Sequence, residues 1–142
     1  YPNVEEKHIL DITRHKFRPM SLLKLDSRVR SKADAVDGGL DSLDKKQGSI
    51  KDYPTVDSLI VPFLTYVSIL VDYARIGGNP EIGCALAMGC QTYIASLMEM
   101  AREFQWSYVL EYHVSYMNIC RQEMKRSIYL GWGPIDAQLY TR

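Results

Sequence analysis

The sequence lacks the short motifs that mark common enzyme families, and it has no excess of charge of either sign. It contains no GxxxxGK[ST] phosphate loop, no GxGxxG, no GxSxG elbow and no HExxH zinc motif. Its 17 basic and 17 acidic residues give a formal net charge of zero, so no whole-molecule field attracts nucleic acid. We therefore expect a protein that is not an enzyme and that needs no cofactor.

Cysteine is scarce, and no hydrophobic run is long enough to cross a membrane. The three cysteines, Cys84, Cys90 and Cys120, form no CxxC pair, which favours a reducing, intracellular setting, cytoplasmic or nuclear. Together with His113 they lack the ligand spacing of a metal site on helices, so we expect buried thiols and no metal. The apolar run 59–71 has only 13 residues, which predicts a buried helix and no membrane contact.

Apolar residues recur at helical spacing over most of the chain, and no strand pair is evident. Hydrophobic residues make up 46% of the sequence, which is ample for one packed core in 142 residues. We predict an all-α fold: a compact bundle of about four helices, a linker-tethered N-terminal helix and a short C-terminal turn. Cap and breaker residues place the helices at about 3–15, 20–25, 55–76, 80–104 and 105–127.

The stretch 26–54 differs from the rest of the chain in composition. It is rich in Asp, Ser, Lys and Gly with scattered apolar residues, which is typical of a flexible linker or long loop. We therefore divide the chain into an N-terminal helical arm (1–25), a linker (26–54) and a helical domain (55–142). A linker of this length permits exchange of the N-terminal helix between subunits.

Positive charge is concentrated near the N-terminal end. Residues 14–32 include seven basic residues and one acidic residue, a local balance of +6. Such a segment is able to bind RNA or DNA phosphates without sequence preference, although Phe17 alone offers a ring for base stacking. The alternative is a solvated charge run. The candidate nucleic-acid contacts are Arg14, Lys16, Arg18, Arg28, Arg30 and Lys32.

The last residues of the chain place a tryptophan between two glycines. Gly131 and Gly133 let the backbone turn sharply on each side of Trp132, so we expect the indole to fold back onto the predicted helix at 105–127. Leu139 and Tyr140 are expected to close over the same groove. With Trp106 these aromatic and apolar side chains form a predicted clasp, whose burial is worth a few kcal/mol.

One pattern of spaced residues begins on the predicted helix at 105–127 and continues into the C-terminal tail. This pattern comprises Tyr116, Arg121, Trp132, Asp136, Leu139 and Tyr140. It resembles the Gag-like proteins of tyrosine-recombinase (DIRS-type) retrotransposons and related animal genes, over about residues 56–142. The resemblance implies a non-enzymatic, capsid-like domain that self-associates into homo-oligomers. It also implies a role for Arg121, paired either with Asp136 or with a neighbouring subunit.

Two other functions remain open from the sequence. One is a nucleic-acid-binding helical module of a recombinase or transposase-related protein, which would use the basic N-terminal segment. The other is an adaptor domain that holds a partner helix in an apolar groove between the predicted helices at 55–76 and 80–104. Neither alternative requires an active site or a metal.

Overall fold

A computed structural model describes residues 1, 3–26, 52–129 and 131–133 of the chain. No strand occurs among these residues, so the prediction of an all-α fold is confirmed. In chain order, the elements are α1 (Glu6–Thr13), a 3₁₀ helix (Pro19–Leu25), α2 (Val56–Ile76), α3 (Pro80–Glu103) and α4 (Trp106–Lys125). The three long helices begin and end within about two residues of the predicted boundaries.

Helix α2 begins and ends at residues whose chemistry explains both limits. The Thr55 hydroxyl accepts a hydrogen bond from the Ser58 amide at 3.3 Å, and the Ser58 hydroxyl accepts one from the Thr55 amide at 3.2 Å. This reciprocal capping box satisfies two amides that the first turn leaves without helical partners. The helix continues through Pro62 rather than beginning there, and it ends before Gly77 and Gly78.

Small residues on α3 allow α2 to pack close beside it. A Cβ atom added at Gly83 would lie 3.4 Å from the Val71 carbonyl oxygen and 3.7 Å from the Arg75 amide nitrogen. These are ordinary van der Waals distances, so the two backbones approach without a side chain between them. The turn that joins them, Gly77 to Asn79, makes the helices neighbours in the fold.

The N-terminal residues, predicted to form a tethered arm, are part of the main core. Ile12 and Phe17 are buried with the apolar residues of the 3₁₀ helix, and the Phe17 ring lies 6.1 Å from that of Tyr66 on α2. The buried hydroxyl of Tyr53 accepts a hydrogen bond from the Leu23 amide at 2.8 Å and donates one to the Met20 carbonyl at 2.7 Å.

The two described ends of the predicted linker or long loop are packed into the fold. Asp26 and Tyr53 were assigned to the linker, yet both side chains are buried. Local composition gave no sign of this because polar residues surround Tyr53 in the sequence, while its partners Leu23 and Met20 lie 30 and 33 residues earlier. The intervening residues 27–51 lie outside the part of the chain that the structure describes.

Helix α2 is longer than the apolar run that identified it. The run of 13 residues was expected to be too short for a bilayer, but α2 has 21 residues, and its most apolar 18-residue window has a mean hydropathy of 1.6. By length and composition alone this helix is able to cross a membrane, and 33% of the window is buried in the fold. Core helices of soluble proteins pass the same test, so this is weak evidence for a membrane span.

Candidate functional site

Five aromatic rings meet where α2, α3 and α4 contact the segment 131–133. We call Phe63, Tyr66, Tyr93, Tyr116 and Trp132 the aromatic cluster. The Trp132 ring centroid lies between 5.7 and 6.5 Å from those of the other four, and this residue is only 4% exposed. The expectation that the indole folds back onto the helices is therefore confirmed.

The Tyr116 side chain holds the segment 131–133 in place. Its hydroxyl donates a hydrogen bond to the Gly131 carbonyl at 3.0 Å and accepts one from the Gly133 amide at 2.9 Å. Its ring stacks on Tyr93 with centroids 4.3 Å apart and planes 7° from parallel. Tyr116 thus joins the segment to both α3 and α4. Together, the aromatic cluster and the segment 131–133 form the clasp that the structure shows, with Tyr116 at its centre.

Gly89 on α3 is a clasp residue that sequence reasoning missed. A Cβ atom at this position would lie 2.6 Å from the Trp132 carbonyl oxygen, closer than real atoms approach. The backbone of the segment therefore lies directly on α3, and Gly133 follows with a φ of +120°, which favours glycine. The run of small residues on α3 was the available signal, but it did not indicate which neighbour approaches.

Trp106 does not join the aromatic cluster, although it was predicted to belong to the clasp. Its indole nitrogen donates a hydrogen bond to the Tyr53 carbonyl oxygen, which ties the start of α4 to the residues before α2. No ring of the aromatic cluster is in contact with it among the described residues. The other predicted clasp members, Leu139 and Tyr140, and the candidate partner Asp136 lie outside the described residues.

His113 and Tyr93 form a hydrogen-bonded pair inside the core. The Tyr93 hydroxyl and His113 Nδ1 are 2.6 Å apart, and the imidazole meets the Phe63 ring edge-on at 5.2 Å. Burial lowers the pKa of His113 to about 3, because the charged form loses its hydration. Burial likewise raises the pKa of Tyr93 well above its usual value. Both groups are neutral at physiological pH and act in packing.

A large cavity lies between the N-terminal residues and α4. Its volume is about 750 Å³, and Lys16, Arg18, Lys24 and Arg121 supply four cationic side chains to its walls. Asp11 is the one carboxylate among its lining residues. We call this space the basic cavity. It brings together two groups that the sequence analysis treated separately, namely Arg121 and part of the basic segment.

Only two of the six predicted nucleic-acid contacts are found among the residues that line this cavity. Arg14 follows α1 and is exposed, but it is not among the residues that line the basic cavity. Arg28, Arg30 and Lys32 lie outside the described residues. The basic cavity therefore contains Lys16 and Arg18 of that predicted set, and it adds Lys24.

Arg121 is held in a defined orientation at the cavity wall. Its Nη2 atom donates a hydrogen bond to Asn118 Oδ1 at 3.0 Å, one turn earlier on α4. Its Nε atom is buried and has no hydrogen-bond partner in the described parts of the chain. The alternative pairing with Asp136 lies outside those residues.

The cysteines occupy dissimilar surroundings. Cys84 is exposed, whereas Cys90 and Cys120 are buried, and burial raises the pKa of the Cys90 thiol to about 12. In the described ranges, no three His, Cys, Asp or Glu side chains are grouped so as to hold a metal ion. The arrangement of the buried thiols is that of small apolar side chains in a core.

The Gag-like resemblance depends on the spaced residues of the sequence alone. No protein-family model, curated protein or solved structure matches this chain.

Proposed function

We propose that this protein is a non-enzymatic, all-helical structural domain that self-associates inside the cell through the outward face of α2. The observation that carries the proposal is the exposure of large apolar side chains on this helix. Val61 is 41% exposed and Leu64 is 49% exposed, one turn apart on the same face. The helix as a whole is strongly apolar, yet only 33% of its most apolar window is buried.

The chemistry of this face suits a second copy of the chain. Ser68 continues the line of Val61 and Leu64 by one further turn, and it is small enough to let another backbone approach. No charged residue occurs between Asp57 and Asp72, so nothing on the face repels an identical surface. Two copies related by a twofold axis would bury the same residues twice.

The expected strength of one such contact is modest. Full burial of a Val or Leu side chain contributes about 1.5–3 kcal/mol, while association costs at least about 4 kcal/mol in lost freedom. A single pair of faces therefore gives weak dimerisation. Further interfaces repeated by symmetry would be needed for assembly of the kind that the Gag-like resemblance implies.

Light scattering over a concentration series tests this proposal. We expect the mean mass of the wild-type protein to rise with concentration, and Leu64→Glu to keep the protein monomeric because it places charge in the contact. Ile119→Glu is the matched control, because Ile119 on α4 is 41% exposed and lies on another helix. This variant should associate as the wild type does.

Two results would contradict self-association through α2. One is a light-scattering series in which the wild type stays monomeric at the highest concentration reached or both variants lower the mass equally. The other is stable binding to uncharged phospholipid vesicles that Leu64→Glu abolishes, which would assign the apolar face to a bilayer.

A second candidate function is nucleic-acid binding through the basic N-terminal segment. The observation in its favour is that Lys16 and Arg18 lie beside further cationic side chains at the basic cavity. It predicts salt-steep binding of single-stranded RNA, measured by fluorescence anisotropy, that the combined change of Arg14, Lys16 and Arg18 to Gln weakens at least tenfold. Unchanged affinity in that variant would remove this candidate.

A further inference from the structure

We propose that the basic cavity is a binding site for a compact anion that carries phosphate groups, with Arg121 as its main ligand. This site is separate from the α2 face and does not depend on self-association. The basis is the meeting of four cationic side chains and one carboxylate around about 750 Å³ of space. A concave space lined mainly by one sign of charge focuses the field and raises the local concentration of counter-ions, here anions.

Arg121 has the geometry of a ligand rather than of a solvated side chain. The hydrogen bond to Asn118 Oδ1 fixes one edge of its guanidinium group. Its Nε atom is buried without a partner in the described part of the chain, so the donors left for a ligand in the cavity are those of the Nη atoms. A phosphate oxygen supplies these N–H groups with an acceptor of opposite charge. The planar fork of arginine is suited to two phosphate oxygens at once.

The opposite wall supplies further positive charge from different elements. Lys16 and Arg18 lie between α1 and the 3₁₀ helix, and Lys24 lies within the 3₁₀ helix. Lys16 and Arg18 form no ion pair with any described residue, so they are available to an incoming anion. A ligand with two or more negative charges would therefore contact both walls.

The lining also indicates which part of a ligand is recognised. The volume is within the usual range for small-molecule sites, roughly 300–1,000 Å³. Phe17 is the one aromatic side chain of the wall besides His8, and it is only 3% exposed because its ring packs in the core. No open ring face is presented for stacking on a nucleobase. The site is thus suited to phosphate groups themselves.

Calorimetric titration of the full chain with pyrophosphate, in low salt and phosphate-free buffer, tests the site. We expect Arg121→Gln to weaken binding at least tenfold, because a charge-assisted hydrogen bond is lost. Arg102→Gln is the matched control, since Arg102 is exposed near the end of α3 and is absent from the cavity lining. It should change the affinity less than twofold.

A second variant and a second ligand make the titration decisive. The double change Lys16→Gln with Lys24→Gln leaves α4 untouched, and it should weaken binding about fivefold and reduce its salt dependence. This double variant decides the matter if Arg121→Gln does not fold, as judged by circular dichroism. Adenosine diphosphate carries the same two phosphates, and it should bind within a few-fold of pyrophosphate.

Any of three outcomes would overturn the proposal. The first is that pyrophosphate at millimolar concentration gives no heat of binding, and the second is that Arg102→Gln weakens binding as much as the cavity variants do. Alternatively, a single-stranded RNA without a terminal phosphate binds far more tightly than pyrophosphate and does not respond to Arg121→Gln, which would assign the charge to nucleic acid. Light scattering of the same samples reports self-association independently, so failure of one proposal is distinguishable from failure of the other.

Discussion

The change Gly89→Ala should release the segment that carries Trp132. The added methyl group would lie 2.6 Å from the Trp132 carbonyl oxygen and 3.1 Å from its carbonyl carbon. These are backbone atoms, so no side-chain rotation relieves the contact, and either the segment or α3 must move. Because the segment is held by few elements, we expect it to leave the aromatic cluster.

The magnitude follows from two opposing effects. Replacing a helix-interior glycine by alanine contributes about 1 kcal/mol to helix stability. Loss of Trp132 from the cluster removes an aromatic burial of about 150–250 Å², worth up to about 4–6 kcal/mol. The Tyr116 hydroxyl also loses its two hydrogen bonds, at about 1 kcal/mol each. We expect a net loss of at least about 2 kcal/mol in the free energy of unfolding.

Urea unfolding and tryptophan fluorescence measure this effect, and Gly83→Ala provides the matched control. Gly83 lies on the same helix, where an added Cβ meets its nearest atom at 3.4 Å, so this variant should be neutral or more stable by up to about 1 kcal/mol. Gly89→Ala should also shift the emission of the folded protein to longer wavelength. Equal stability of the two variants with unchanged emission would refute the close approach at Gly89.

Two further predictions concern buried polar groups. Tyr116→Phe keeps the ring but leaves the buried Gly133 amide without its acceptor, so it should lower the free energy of unfolding by about 1–3 kcal/mol in urea titrations; no loss would show that the hydroxyl is dispensable. The pKa of His113 is lowered to about 3 in the folded protein, below the 6.5 of the unfolded chain. The unfolded chain therefore binds a proton that the folded one excludes, and stability should fall as pH drops from about 6.5 towards 3, by at most about 1.4 kcal/mol per pH unit from this group. Thermal unfolding across that pH range should show a smaller decrease for His113→Phe; an equal decrease would assign the effect to other groups.

The features that were predictable from sequence have local signals. Thr55 and Ser58 mark the start of α2 by themselves, and Asn79 followed by Pro80 marks the start of α3. Helical spacing of apolar residues then identifies the long helices without reference to other parts of the chain. The buried indole of Trp132 was predictable for a similar reason, because the flanking glycines permit one sharp reversal.

The features that were missed depend on contacts between distant parts of the chain. The N-terminal residues were predicted to be an arm because Tyr53, their anchor, lies in a polar stretch whose composition resembles a linker. Trp106 was assigned to the wrong contact because an indole nitrogen has many possible acceptors, and only the fold shows that it reaches the Tyr53 carbonyl. Gly89 is one of several small residues on α3, and spacing alone does not distinguish their neighbours.

The basic cavity illustrates the same limit for function. Lys16 and Arg121 are more than 100 positions apart, and each belonged to a different hypothesis when only the sequence was considered. Their meeting depends on the docking of the N-terminal residues against α4, which was not predicted. The clustered basic residues of the sequence predicted an anion contact, but only the fold shows which cationic side chains line the same cavity.

The contact between copies of α2 is tested most directly by distance measurement between two spin labels. A single label is introduced by Ser68→Cys in a Cys84→Ser background, since Cys84 is the exposed native thiol of the described residues. A second sample carries the label at Ile119→Cys. Self-association through α2 predicts dipolar coupling that gives a shorter distance between labels at position 68 than at position 119. Absence of coupling at high concentration, or a shorter distance at position 119, would contradict it.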